Sequence, residues 1–194
     1  MTAPLIVGIG GTPRAGSTTE RALALALRQA EGVGARTKLF GGAFLERLPH
    51  FNPGPAGPSR EQADLVAAVR DADGIILATP GYHGSLSGLV KNALDTLELT
   101  RADARPYFHG LPVGIIITAD GAQAGGTTLM AVRAIIHAMR GWPTPFGAAL
   151  KASSLFDDGG EIGQANDGAQ LAMVADQVVE FAQMRHAQSM GTGQ

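Results

Sequence analysis

Apolar residues in this chain fall into short continuous runs separated by longer amphipathic stretches. Leu5 to Ile9, Ile75 to Ala78 and Pro112 to Thr118 are strand-length and apolar nearly throughout. That is the pattern of strands covered on both faces. Arg36 to Phe40 reads as a partly polar strand nearer a sheet edge, and Phe146 to Leu150 as a fifth strand. Between these runs the spacing becomes helical. Leu23, Ala26, Leu27 and Ala30 predict a helix from Thr18 to Ala30, ended by Gly32 and Gly34. Ser59 and Gln62 form a capping box ahead of Leu65, Val66 and Val69, a helix ending near Asp71. Ser87 to Leu99 presents Leu89, Val90, Ala93, Leu94 and Leu97 on one side. Thr127 to Arg140 is predicted to turn Met130, Ala131, Ala134, Ile135, Ala138 and Met139 inward, with Gly141 as the stop. Gln170 to Met184 is predicted to bury Leu171, Val174, Val178 and Phe181. Gly41 to Pro58 is a long connection rich in Gly and Pro, of a length that marks functional or interface segments.

Strands alternating with helices predict an α/β domain with a parallel sheet covered on both sides. Ligands of such sheets sit beyond the carboxyl ends of the strands, at the switch point. The loops after the first, third and fourth strands are therefore expected to meet. They are also the three most unusual loops in the chain.

Composition narrows the classes without choosing among them. A length of 194 residues fits one domain, expected to cover 1–187, with a flexible tail at 188–194. The net charge of −2 and the lack of any Lys/Arg run argue against nucleic-acid binding. The absence of cysteine excludes disulfides and thiolate chemistry. No run reaches membrane-spanning length and the first is only a strand long, so a cytoplasmic protein is expected.

The first loop carries the clearest chemistry. Gly8-Ile9-Gly10-Gly11-Thr12-Pro13-Arg14-Ala15-Gly16-Ser17-Thr18-Thr19 joins a strand to a helix. Helix N-termini leave backbone N–H groups unpaired and carry partial positive charge, so they attract anions. Thr12, Ser17, Thr18 and Thr19 add hydroxyl donors and Arg14 a planar charged fork. The dinucleotide pattern G-x-G-x-x-G fails at Pro13, and no acidic residue follows the second apolar run. The triphosphate loop G-x-x-x-x-G-K-[ST] fails at Ser17, where the lysine belongs. One Arg, several hydroxyls and a helix start suit a single terminal phosphate, as in flavin mononucleotide. The simpler alternative is a tight turn followed by an ordinary cap, which needs only one hydroxyl.

The second loop, Thr79-Pro80-Gly81-Tyr82-His83-Gly84-Ser85, brings backbone and one aromatic ring close to a flat ligand. As a bare turn it needs no ligand at all. Lys91, Asn92 and Asp95 follow on a helix, where fixing that helix is the simpler role. The third loop, Thr118-Ala119-Asp120-Gly121 through Gly125-Gly126, reads equally as a ligand loop or a flexible connection.

These residues resemble the flavodoxin-like NAD(P)H-dependent FMN reductases, a family that includes the reductase partners of two-component flavin monooxygenases and the FMN-dependent chromate, quinone and azo reductases. Gly11-Thr12-Pro13-Arg14 through Ser17 is similar to the family's G-S-x-R-x-x-S loop, with Thr12 in place of Ser. Pro80 through Asp95 is similar to P-x-Y-x-x-x-x-x-G-x-L-K-N-x-x-D, with Val90 in place of Leu. Gly81 and His83 depart from the Glu and Asn of several members, and Thr96 from a common Trp.

The resemblance implies a three-layer, doubly wound, five-stranded parallel sheet of order 2-1-3-4-5. It implies FMN phosphate on Thr12, Arg14, Ser17, Thr18 and Thr19. It implies ring contacts from Pro80, Gly81, Tyr82, His83 and Gly84, with Thr118, Asp120 and Gly121 on the other side. It further implies NADPH or NADH as hydride donor, ping-pong transfer to flavin N5, and a homodimer or homotetramer, with a monooxygenase as a candidate partner. The cofactor carries the redox chemistry, so no catalytic side chain and no metal are expected. A flavodoxin-type electron carrier is the rival from another class, though such carriers tend to be strongly acidic. A response-regulator-like domain would need an acidic pair after the first strand, which is absent.

Overall fold

The computed structural model describes residues 3–54 and 57–191, with side chains as far as residue 188. Pro55 and Ala56 of the long connection lie outside the described residues, as do the last three residues of the expected tail. The elements are β1 (Leu5–Gly10), α1 (Thr18–Gly32), β2 (Arg36–Phe40), α2 (Gly42–Leu45), α3 (Arg60–Asp71), β3 (Gly74–Pro80), α4 (Gly88–Thr96), β4 (Pro112–Ala119), α5 (Ala122–Ala138), β5 (Trp142–Pro143), β6 (Ala148–Lys151) and α6 (Ala165–Gly191). Every strand pairing is parallel. The order is β2-β1-β3-β4-β5, with β6 also on β4, which is the flavodoxin-like arrangement expected from the sequence.

The fifth position of the sheet is split. β5 pairs with Pro112 and Val113 at the start of β4, and β6 pairs with Ile116 to Ala119 at its end. The predicted strand at Phe146 to Leu150 is thus shorter and later, and Trp142–Pro143 precedes it. Pro143 and Pro145 lack the N–H that a continuous ladder requires.

Strand alternation sorts the core. Val7, Ile9, Ile75, Leu77, Val113, Ile115 and Ile117 pack against α3, α4 and α5. Ile6, Ile76, Ala78 and Ile116 pack against α1 and α6. On the α1/α6 side three glycines flatten the sheet. A Cβ on Gly8 would lie 2.6 Å from Leu27, one on Gly74 2.7 Å from Val178, and one on Gly114 2.7 Å from Val174. Both helices therefore sit close to the backbone, which fixes the N-terminus of α1 at the sheet rim. The capping box of α3 forms as predicted. Ser59 Oγ accepts from the Gln62 N–H at 3.2 Å, and Gln62 Oε1 accepts from the Ser59 N–H at 3.0 Å.

Two helices differ from their predicted phase. α5 starts at Ala122 rather than Thr127 and buries Gly125, Thr128, Val132 and Ile136. Met130 is 66% exposed, and Ala134 and Ala138 are also exposed. The helix is apolar on nearly every side, so its periodicity offers two faces, and the β-branched pair Val132 and Ile136 takes the inner one. In α6, Ala182 turns inward and Phe181 lies at the surface beside Trp142, with ring centroids 6.4 Å apart. α6 itself runs on to Gly191. No helix among the described residues is long and apolar enough to cross a membrane.

Candidate cofactor site

The carboxyl ends of β1, β3 and β4 open into one cavity of about 510 Å³, within the usual range for small-molecule sites. The β1 loop contributes Thr12, Pro13, Arg14, Ser17, Thr18 and Thr19. The β3 loop contributes Pro80, Gly81 and Tyr82, and the end of β4 contributes Thr118, Ala119 and Asp120. The three loops expected to meet do so. His83, Gly84 and Gly121 stand outside the lining: the first two form the tip of a turn and the third precedes α5.

The first loop is shaped by Gly16, whose φ of +63° lies in the left-handed region that favours glycine. A Cβ there would meet nothing within 4 Å, so the position is held open by conformation rather than by packing. Ser17 caps α1, its Oγ accepting from the Glu20 N–H at 3.3 Å. Its own hydroxyl hydrogen remains available. Glu20, the acid of the first turn, is drawn away from the cavity: its Oε2 accepts from the Gly42 N–H at 2.8 Å. The Arg14 carbonyl accepts from the Ser17 N–H at 3.2 Å, but its guanidinium has no ion pair or hydrogen bond among the described residues and is exposed at the cavity edge. Thr19 Oγ1 lies 2.6 Å from Thr118 Oγ1, and the Arg14 guanidinium and the Ser17 hydroxyl hydrogen are donors left without a protein acceptor among the described residues.

The second loop is a tight hairpin. Tyr82 and Ser85 exchange two backbone hydrogen bonds, at 2.9 and 3.0 Å, around His83 and Gly84, both with positive φ. This is the geometry of a two-residue hairpin turn. The Gly81 N–H donates to the Thr118 carbonyl at 2.9 Å. Below it, the Ser87 N–H donates to Thr79 Oγ1 at 3.0 Å while Ser87 caps α4. Tyr82, 54% exposed, is held at the rim by a rigid turn.

Asp120 marks the opposite wall. Its Oδ1 accepts from the Ser153 N–H at 2.8 Å. Hydrogen bonds from Ser153, helped by the nearby Lys151 charge, hold the carboxyl below its ordinary range. Ala152 lines the cavity beside it. The sequence reading missed this segment, yet the signal was present. Ala152 follows the fifth strand position and so emerges at the same rim as the other loops.

Lys91, Asn92 and Asp95 take the structural role. Lys91 Nζ reaches both oxygens of Asp95, at 2.7 and 2.9 Å. Asn92 donates to the Leu48 and Pro49 carbonyls and accepts from the Phe51 N–H at 2.8 Å, which ties down the long connection. The described residues contain no group of His, Cys, Asp and Glu able to hold a metal.

The donor set fits a phosphorylated flavin. Unclaimed hydroxyls, an unclaimed guanidinium and a helix N-terminus suit the phosphate. Loop backbone and an aromatic side chain flank the remaining length of the cavity. A doubly wound parallel sheet with such a cradle at its rim is a flavodoxin-like nucleotide-binding domain. A family model described as NADPH-dependent FMN reductase matches residues 4–153, and the chain belongs to that family.

An FMN-dependent NADPH-azoreductase of Staphylococcus aureus is 33% identical over 121 residues, 61% of each chain. The match thus spans about three-fifths of the length of that curated relative. Among solved structures, the flavoenzyme NAD(P)H:(acceptor) oxidoreductase FerB from Paracoccus denitrificans has a TM-score of 0.74 at 19% identity, covering 94% of this chain and 98% of that one. The apo form of an NADH:FMN oxidoreductase has a TM-score of 0.69 at 23% identity, covering 94% and 90%. At these identities the two structures bear on the fold.

Proposed function

We propose that this chain is an NAD(P)H-dependent FMN reductase of the cytoplasm. The carrying observation is the meeting of three rim loops around a single cavity, at whose hydroxyl-bearing end the Arg14 guanidinium has no protein partner among the described residues. In this reading Arg14, Thr12, Ser17, Thr18 and Thr19 hold the phosphate. Pro80, Gly81, Tyr82, His83 and Gly84 border the ring system, with Thr118, Asp120 and Gly121 facing them. Bound FMN supplies the redox chemistry, hydride uptake from reduced nicotinamide and delivery to a second acceptor in the same slot. The chain's residues bind, orient and cover; none is required to move a proton.

Azo compounds or quinones are the second reading for the acceptor, favoured by the likeness to the azoreductase. A monooxygenase that consumes released reduced flavin is the third possibility for its destination. A homodimer or homotetramer is part of this reading, supported by the exposed apolar side of α5, where Met130, Ala134 and Ala138 face outward beside a cleft lined by Phe51, Leu94, Ile135 and Met139.

The test is anaerobic mixing with NADPH or NADH, with and without FMN, followed at the flavin absorbance band. Bleaching that needs the protein supports a reductase. NADPH oxidation only with added FMN points to released flavin, and a yellow protein that keeps its colour on desalting points to a bound one. Flavin binding without any bleaching would leave an electron carrier.

A further inference from the structure

We propose that the hydroxyls of Thr19 and Thr118 act as one unit, a paired donor that serves an oxygen of the flavin's phosphorylated side chain. This rests on the FMN reading above. Thr19 is the second residue of α1 and Thr118 lies near the end of β4, so different elements deliver them. They are 2% and 3% exposed, and their Oγ1 atoms are 2.6 Å apart.

Two hydroxyls carry two hydrogens, and the bond between them uses one. Among the described residues neither hydroxyl has another partner. Whichever is the acceptor therefore still carries a hydrogen with nowhere in the protein to go. Buried hydroxyls do not leave a donor idle without a penalty. Both threonines line the cavity, so the cavity is the open direction. A ligand oxygen there completes the chain, and a hydroxyl that itself receives a hydrogen bond is a stronger donor. The same residue ties in the second loop, because the Thr118 carbonyl accepts from the Gly81 N–H at 2.9 Å. One buried point thus joins all three rim loops and faces the ligand.

The test is a double-mutant cycle with Thr19→Val and Thr118→Val, which keep the branched shape and remove the hydroxyl. FMN affinity is read by fluorescence quenching, and the FMN-free proteins are compared by thermal melting. At least one single variant should weaken FMN binding by about tenfold, the worth of one hydrogen bond. The double variant should bind no worse than the weaker single. In the melts, each single variant should lose stability by stranding its partner, and the double should recover much of it. Thr118→Ser should restore the affinity lost in Thr118→Val.

Riboflavin titrations name the acceptor atom. Equal losses for riboflavin and FMN assign it to the ribityl chain, and a loss confined to FMN assigns it to the phosphate. Unchanged affinity in both single variants, or losses that multiply in the double, overturns the proposal. If the unaltered chain binds no FMN, the flavin reading fails on its own. The melts then still show whether the two hydroxyls are coupled.

Discussion

The two rims of this sheet each carry a cavity with arginine in its wall, and they differ in what the polar groups are already doing. At the amino ends of the strands lies a cavity of about 340 Å³ bordered by Arg70, Arg105 and Asp73. Arg105 donates to the carbonyls of Val69, Arg70 and Ala72, closing the end of α3. Burial, and then the neighbouring Arg185 charge, push its guanidinium down from the ordinary arginine value. Asp73 accepts from the Leu5 N–H at 2.8 Å and lies 2.7 Å from His186 Nε2. Arg70 forks onto Asp103 at 2.7 and 3.2 Å. At the carboxyl ends the inventory looks alike, yet the Arg14 guanidinium holds nothing and hydroxyl hydrogens are left over. An arginine that satisfies a helix end belongs to the scaffold. An arginine at a cavity edge with no protein partner is free to take a ligand.

The sharpest break between the rims comes from deleting each arginine. Arg105→Ala removes bonds from a charged donor to the last carbonyls of α3 and should cost about 2–3 kcal/mol of stability. Urea unfolding checks this, and FMN affinity should not change. Arg14→Ala should leave the unfolding midpoint alone and raise the FMN dissociation constant by roughly ten- to a hundredfold. If the two variants behaved alike in both assays, the division between scaffold and ligand arginines would collapse.

Ser59→Ala, which removes a helix cap away from either cavity, should cost about 1 kcal/mol with flavin affinity unaltered. The Asp120 clamp can be read through pH. Its folded value lies below its unfolded value, so the bond to Ser153 is fully present above the ordinary carboxylate pKa of about 3.9. It is lost as pH falls through the folded value. Protection of the Ser153 amide from hydrogen exchange should therefore be level from about pH 8 to pH 5 and fall only below the ordinary carboxylate range. Lys91→Ala breaks an exposed i,i+4 pair and should move stability by only about 0.3–0.5 kcal/mol. A larger effect would give Lys91 a role beyond its helix.

How much was legible follows from how many physical demands each residue meets. β1, β3 and β4 are buried on both faces, so Ile6, Ile76 and Ile116 had to be apolar and their runs stand out. The Ser59–Gln62 box is a purely local device and was readable for that reason. α5 was misread in phase because Met130 and Ala134 are as apolar as the buried Val132. Gly125 and Gly126 looked like loop, yet they lie in the first turns of α5, where Gly125 fits against Ala149. At the site, the hydroxyl cluster announced itself through composition. The contact of Asp120 with Ser153 spans 33 residues and has no local signature.

The broken fifth strand has a consequence for life in a crowded solution. A sheet ending in a long, straight outer strand offers a ready ladder to any extended peptide, including another copy of the same chain. Here that border is cut into a two-residue and a four-residue piece, with prolines at 143 and 145 interrupting it. The opposite border, β2, carries Arg36 and Lys38. β2 stands at the end of the sheet order as an uninterrupted five-residue strand, so that margin is guarded by charge rather than by breaks. The two margins thus meet the same hazard by different means, one by interruption and prolines, the other by cationic side chains.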